Sequence, residues 1–598
     1  MNRSAIDTLV HQLRDGTLHR RDFVRRATAL GLSSAAAGIL ARSAVAQDAS
    51  PPASPTGTGE VIRSITREEA EAEIEEAFPF EEPQSQGGQL IHSMTTDIST
   101  LNTVLSGDLY SSWVSDFIYE QLVGTSVANG RDVPIGLADS WEIAADGVTY
   151  TVKLHEGVKW HDGEPFTADD VIFTFDMALD EKSQSPRKGT IDGTLASYEK
   201  VDDLTVKFVA KAPSAIFTSE ALSQFGIMPK HIWENVPAAD WPSDPGSSGQ
   251  DPARVIGTGP FRFAEWVIGD HVTLEKNADY WNPKWTPVID TYTYQVIKDP
   301  ASNIAALQTG SSDFIEVPFG QAKSLRESNP ELQVIDYDTL DINYYVANQD
   351  PAKGLFFTDV KVRQALQYAL DREVIANTVF DGFAIRADGT QPVLSIAYAP
   401  DKVRTIYTYD PDKAKSLLDE AGWVEGAGGF REKDGQKLSF EMTYSEGYAP
   451  YEVQVPYMQQ AWREVGVEMI PTVIPFPSLL EDDQAGNYQM SLLGFGWDPD
   501  GGQDAMFACN MIPPNGFNLQ RYCSDAYDAL VEPAKTELDV DKRIELLIEM
   551  SNIANDDAAV GITVFLKDIY GASPRVHNYF PNGYDTVWWL KRAWLDQG

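Results

Sequence analysis

The sequence predicts a mixed α/β chain built in two or more lobes. Three observations carry that reading. Strand-like segments with two-residue alternation, such as Val148-Thr149-Tyr150-Thr151-Val152-Lys153-Leu154, are interleaved with helical segments along most of the chain. No self-similarity appears at periods of roughly 20–50 residues, which excludes a solenoid or a propeller. The 598 residues are 43% hydrophobic and 11% aromatic, enough to fill several cores. At about 150 residues per domain the length corresponds to about four units.

The N-terminus reads as an address. Arg20-Arg21-Asp22-Phe23-Val24-Arg25 precedes a mildly apolar stretch from Ala27 to Leu40, and Ala44-Val45-Ala46 offers a small-x-small cleavage site before Gln47. These signals, in this order, make residues 1–46 a twin-arginine signal peptide. No cysteine stands at the cleavage site, so no lipoprotein anchor is expected. Residues 47–86 follow as a Pro/Ser/Gly linker and an acidic segment. Glu68, Glu69, Glu71, Glu73, Glu75 and Glu76 suggest a short solvated helix ended by Pro79, with globular sequence starting near Gly87.

Further elements follow in order. Asp146-Gly147 and Asp162-Gly163 are turn signals. His161-Asp162-Gly163-Glu164 is a hairpin tip rather than a metal site, since no further ligands stand at zinc-like spacing. Thr167-Ala168-Asp169-Asp170 caps a helix with acids in its first turn. Gly257-Thr258-Gly259-Pro260-Phe261 opens a hairpin turning at Gly269-Asp270; its glycines match no phosphate-loop spacing. A helix is expected from Asp359 to Asp381. Another starts at Asp410-Pro411 and ends at Gly422, and two more cover 450–465 and 541–556.

Charge narrows the function. Asp plus Glu number 89 against 47 Lys plus Arg, for a net charge of −42. Such a chain is a poor match for nucleic acid or an anionic lipid surface. Past the N-terminus no apolar run is long enough to span a membrane. Only two cysteines exist, excluding a disulfide-built scaffold and a four-thiolate zinc site. In an exported chain Cys509 and Cys523 read as a disulfide, worth about 3 kcal/mol for so short a loop. There is no HExxH, GxSxG or CxxC motif, so the sequence assigns no catalytic residues, no metal ligands and no cofactor.

Several ordered stretches together resemble one family. They run from Leu137-Ala138-Asp139-Ser140-Trp141-Glu142 through Asp162-Gly163-Glu164-Pro165-Phe166-Thr167-Ala168-Asp169-Asp170-Val171 to Gly257-Thr258-Gly259-Pro260-Phe261 with Tyr280-Trp281. Leu307-Gln308-Thr309-Gly310, Asp359-Val360-Lys361-Val362-Arg363-Gln364-Ala365-Leu366 and Tyr409-Asp410-Pro411-Asp412-Lys413-Ala414-Lys415 follow. Trp462-Arg463-Glu464-Val465-Gly466-Val467 and Gly496-Trp497 complete the set. They are similar to the extracytoplasmic solute-binding proteins of peptide/nickel-type ABC transporters, the oligopeptide/dipeptide-binding family, solute-binding family 5.

The resemblance implies a two-lobed periplasmic-binding-protein fold with hinged lobes, a ligand cleft and an extra subdomain in the larger lobe. Lobe I would span 87–335 with an inserted subdomain at about 125–255, lobe II 336–565, and 566–598 would return to lobe I. The first crossing falls near Val334–Asn343 and the return near Gly561–Gly571. The implied function is capture of a peptide or peptide-sized polar solute outside the cytoplasm by hinge closure, and delivery to a membrane permease. The alternatives are an exported hydrolase, or a periplasmic chaperone or sensory receptor on the same fold. The expected partners are the solute and the permease subunits, with no nucleic acid and a monomeric chain. The expected place is the periplasm or the outer face of the cytoplasmic membrane.

In peptide binders of this family a Trp-x-x-Asp turn presents an aspartate to the ligand's ammonium. Here Gly496-Trp497-Asp498-Pro499-Asp500 puts Asp500 at that position, or Asp498 if the Asp-Pro pair sets the alignment. Trp497 would be a cleft wall. The family's carboxylate-binding arginine would fall at Tyr444-Ser445-Glu446, where no basic residue stands. Tyr444 and Glu446 remain candidate cleft residues, and the segment from Thr96 to Tyr110 faces the cleft in relatives. Asp500 and Glu446 without that arginine imply a ligand with a cationic group and no required free carboxylate.

Overall fold

The computed structural model describes residues 61–353 and 355–596, with Leu9, Gln12, Leu18, Arg25 and Arg26 before them. The twin-arginine pair, the cleavage site and the Pro/Ser/Gly linker lie outside the described residues. Two compact units divide what is described: 61–337 with 568–596, here the first unit, and 338–567, the second. The chain passes from one to the other inside two strands, Gln333–Ala347 and Gly561–Ala572, at 337/338 and 567/568.

The first unit begins earlier than the sequence suggests. β1 (Ile62–Arg63) pairs antiparallel with β3 (Ala138–Ile143). α1 (Arg67–Ala77) opens with a capping box in which Thr66 and Glu69 satisfy each other's backbone N–H. It is not a fully solvated helix. Ala70, Glu71 and Ile74 are buried, and Glu71 accepts from Asn282 Nδ2 at 2.9 Å and Trp285 Nε1 at 3.2 Å. A glutamate run reads as solvated from sequence because its acceptors are distant in the chain.

β3 belongs to a five-stranded sheet ordered β1, β3, β4 (Thr149–Leu154), β6 (Thr205–Ala210), β5 (Leu195–Asp202). In β4 the alternation holds, with Tyr150, Val152 and Leu154 buried. The second sheet of this unit places β2 (Gln89–Met94) between β10 (Phe314–Glu316) and β9 (Thr291–Val296), followed by β8 (His271–Lys276) and β7 (Phe261–Val267). The glycines before β7 serve close packing. A Cβ on Gly257 would lie 1.8 Å from the Ile118 carbonyl oxygen, and one on Gly259 2.3 Å from that of Phe117. The returning segment is sewn in at Asp313, buried and gripped by Arg575 through Nε at 2.6 Å and Nη2 at 2.7 Å.

In the second unit, strands β12 (Ser439–Ser445), β13 (Glu468–Ile474) and β14 (Met490–Gly496) run parallel, and the part of Gln333–Ala347 from 341 onward pairs antiparallel to β14. The helix expected over 359–381 is broken. It runs Val360–Tyr368, and Asp371 then caps a new turn by accepting from Glu373 N and Val374 N. Arg363 and Arg372 are buried and tie these turns to the rest of the unit. Arg363 donates to the carbonyls of Phe357, Asp557 and Ala558, and Arg372 to those of Tyr407 and Ile562. Helices Pro411–Glu420, Ala449–Glu464 and Val540–Asp556 form where the caps and apolar periodicity predict them. Cys509 and Cys523 are disulfide-bonded.

Candidate ligand-binding site

Parallel strands align their carboxyl ends, and ligands of open α/β sheets bind outside such ends. In the second unit that edge consists of Ser445, Ile474 and Gly496 with the residues that follow them. Tyr444 and Glu446 leave from β12, and Trp497, Asp498 and Asp500 from β14. The strand order therefore brings all five sequence-predicted site residues to one end of one sheet.

Their environments differ. Trp497 is 8% exposed; its backbone N–H donates to Leu340 O at 3.1 Å, and its ring packs against Phe495 at 4.9 Å and Phe507 at 6.5 Å. Its indole N–H is buried and, among the described residues, has no hydrogen-bond partner. Such a donor is costly when it stays unmade. Tyr444 is half-buried, edge-on to Tyr451 at 6.3 Å. Glu446 is exposed, with its backbone N–H on Ile474 O at 3.2 Å. Phe517, which no local pattern marks, is 53% exposed and packs on Phe495 at 5.6 Å.

The two aspartates part company. Asp500 is not a free ligand anchor as the Trp-x-x-Asp spacing suggested. Its Oδ2 accepts from Arg543 Nη2 at 2.7 Å and its carbonyl from Arg543 Nη1 at 2.9 Å, while Arg543 Nε donates to Ala534 O. A carboxylate held in such a fork is neutralised inside its own unit. Asp498 is exposed and has no such partner. Desolvation by the protein around it, and then the Asp500 charge, raise its carboxyl above the ordinary aspartate range. Sequence spacing cannot separate the two, because Arg543 comes from a helix far along the chain.

In the first unit the Thr96–Tyr110 segment is anchored by Asp97, whose carboxylate accepts from Gly269 N at 2.6 Å and Trp266 Nε1 at 3.2 Å. Among the described residues Cys509, Cys523 and Asp528 are grouped closely enough to hold a metal ion. The two sulfurs are bonded to each other, so that set lacks thiolate ligands.

Two α/β units joined by two through-running strands, with aromatic and acidic side chains at a parallel carboxyl edge, define the class of bacterial solute-binding proteins. The family model for bacterial extracellular solute-binding proteins, family 5 (middle), matches residues 133–514. The chain is 34% identical over 456 residues to the oligopeptide-binding protein AppA of Bacillus subtilis, covering 75% of this chain and 81% of that protein. It is 29% identical over 467 residues to the dipeptide-binding protein of Escherichia coli, covering 74% and 82%. The solved structure of Bacillus subtilis AppA in complex with a nonapeptide superposes with a TM-score of 0.67 at 29% identity, over 86% of this chain and all of that one. The chain belongs to solute-binding protein family 5 of the ABC transporters.

Proposed function

We propose that this chain captures a peptide or peptide-sized polar solute outside the cytoplasm and hands it to the permease of an ABC importer. Binding proceeds by hinge closure at the strands Gln333–Ala347 and Gly561–Ala572, ligand stabilising the closed form. The chain is exported by the twin-arginine route as a monomer and acts in the periplasm or at the outer face of the cytoplasmic membrane, binding solute without turning it over. In the second unit, Trp497, Tyr444, Glu446 and Asp498 form the ligand-facing set, with Asp498 rather than Asp500 as the anionic contact.

The observation that carries this reading is the buried indole N–H of Trp497. Among the described residues it has no partner, and it stands beside the half-buried Phe495, the exposed Phe517 and the accessible Asp498. A solute carbonyl would satisfy it while the aromatic rings cover the chain next to it. Native mass spectrometry of freshly purified exported protein is expected to find co-purified solute, and calorimetry to find micromolar or tighter peptide binding. Trp497→Phe keeps the ring packing and removes the donor, so affinity should fall by about tenfold. A protein that carries no solute and binds no short peptide at millimolar concentration would end the receptor reading.

A further inference from the structure

The first unit contains a polar cavity of about 130 Å³ that no motif announced. Its lining includes Thr103, Ser112, Asp116, Arg187, Ser223 and Gln224. One wall comes from a single helix. α2 (Leu109–Ile118) buries Trp113, Val114 and Phe117 on one side and carries Ser112 and Asp116 four residues apart on another. Several wall groups are fixed by the backbone: Thr103 Oγ1 accepts from Gly226 N at 2.8 Å, Ser223 Oγ donates to Ser219 O at 3.0 Å, and Gln224 Nε2 donates to the same carbonyl at 2.5 Å.

The charged members are not fixed in this way. Among the described residues the side chains of Asp116 and Arg187 have no hydrogen-bond or ion-pair partner, and Arg187 Nε is a buried donor left unpaired. Asp116 is exposed on the cavity wall. Desolvation, and then the Asp585 charge, push its carboxyl up to about 7, against the pull of Lys591 and Arg187. Two acids, Asp116 and Asp585, are thus balanced by two bases, Arg187 and Lys591. A full anion or a full cation gains little net attraction there. An apolar group would strand the lining hydroxyls, carboxamides and charges. The volume corresponds to about four water molecules, the size of one small polar group.

We propose that this cavity is a specificity pocket for an uncharged polar group of the ligand, a carboxamide or hydroxyl that donates to Asp116 and accepts from Arg187. This rests on the receptor reading.

The test uses the full exported chain and four tripeptides, Ala-Gln-Ala, Ala-Leu-Ala, Ala-Glu-Ala and Ala-Lys-Ala, by calorimetry. The glutamine peptide should bind at least about tenfold tighter than the other three, because a site built to hydrogen-bond rejects analogues that leave its groups unpaired. Asp116→Ala and Arg187→Ala should each abolish that preference. Near pH 7 the wild type should release roughly half a proton per glutamine peptide bound, read from calorimetry in buffers of different ionisation enthalpy, and Asp116→Asn should release none. Asp116→Asn removes a desolvated charge and should melt no lower than wild type, so it serves where an alanine variant fails to fold. Equal binding of all four peptides, or a glutamine preference that survives both variants, would show that the cavity holds water only; the receptor reading would stand. If no tripeptide binds, this inference fails; the receptor reading fails with it only if the purified protein also carries no solute.

Discussion

Asp500, Arg363 and Arg372 in the second unit are closed by partners, whereas Asp116 and Arg187 in the first stand open. Asp500 and Arg543 meet in a two-bonded fork, and Arg363 and Arg372 end on backbone carbonyls. In the first unit Asp116 and Arg187 line the same cavity without touching a partner. The contrast separates two uses of one residue type. A buried charge with its full set of hydrogen bonds is a fixture of the architecture, and removing its partner is severely destabilising. A charge left without a partner beside a cavity contributes nothing to stability and is available to a ligand.

The largest effect should fall on the closed side. Arg363→Met leaves the carbonyls of Phe357, Asp557 and Ala558 without their donor, and the second unit should lose about 3–5 kcal/mol in denaturant unfolding. A loss near zero would mean that the arginine fork is incidental and would break the comparison. The next effect sharpens it. Asp483 is fully buried, with Oδ2 on Ser491 Oγ at 2.9 Å and Oδ1 unpaired, and desolvation pushes its carboxyl up to about 7 from 3.8. A raised folded-state value means that stability is fully present below the unfolded value and is lost as pH rises through 7. Relative to Asp483→Asn, the wild type should therefore lose up to about 4 kcal/mol between pH 4 and pH 8, seen as a steeper fall of the melting temperature. Parallel pH profiles would refute it.

The smallest effect separates the neighbouring aspartates. Asp500→Asn should cost about 1.5–3 kcal/mol of stability by loosening Arg543, while shifting solute affinity by no more than about twofold. Asp498→Asn should leave stability nearly unchanged and weaken a cationic solute by about tenfold. The reverse pattern, read by melting and calorimetry together, would return the anchor to Asp500.

The sequence by itself determined everything governed by neighbours along the chain. Thr167 and Asp410 cap helices because a side-chain oxygen reaches an N–H two or three residues on. Asp146-Gly147 and Gly269-Asp270 turn because glycine accepts the backbone angles required there, and the alternation of residues 149–154 fixed which face of the strand is buried. The ordered motifs gave the family, and with it the end of the sheet where Trp497 and Tyr444 stand. Tertiary structure alone decided the partners. Glu71 is buried because Asn282 and Trp285, more than two hundred positions away, supply its donors. Asp500 is neutralised because Arg543 arrives 43 positions later. The cavity of Asp116 and Arg187 exists only where α2 meets the turn at 187 and the loop at 223–225. Electrostatic and hydrogen-bond energies depend on distance in space, and a linear sequence fixes that distance only over a few residues.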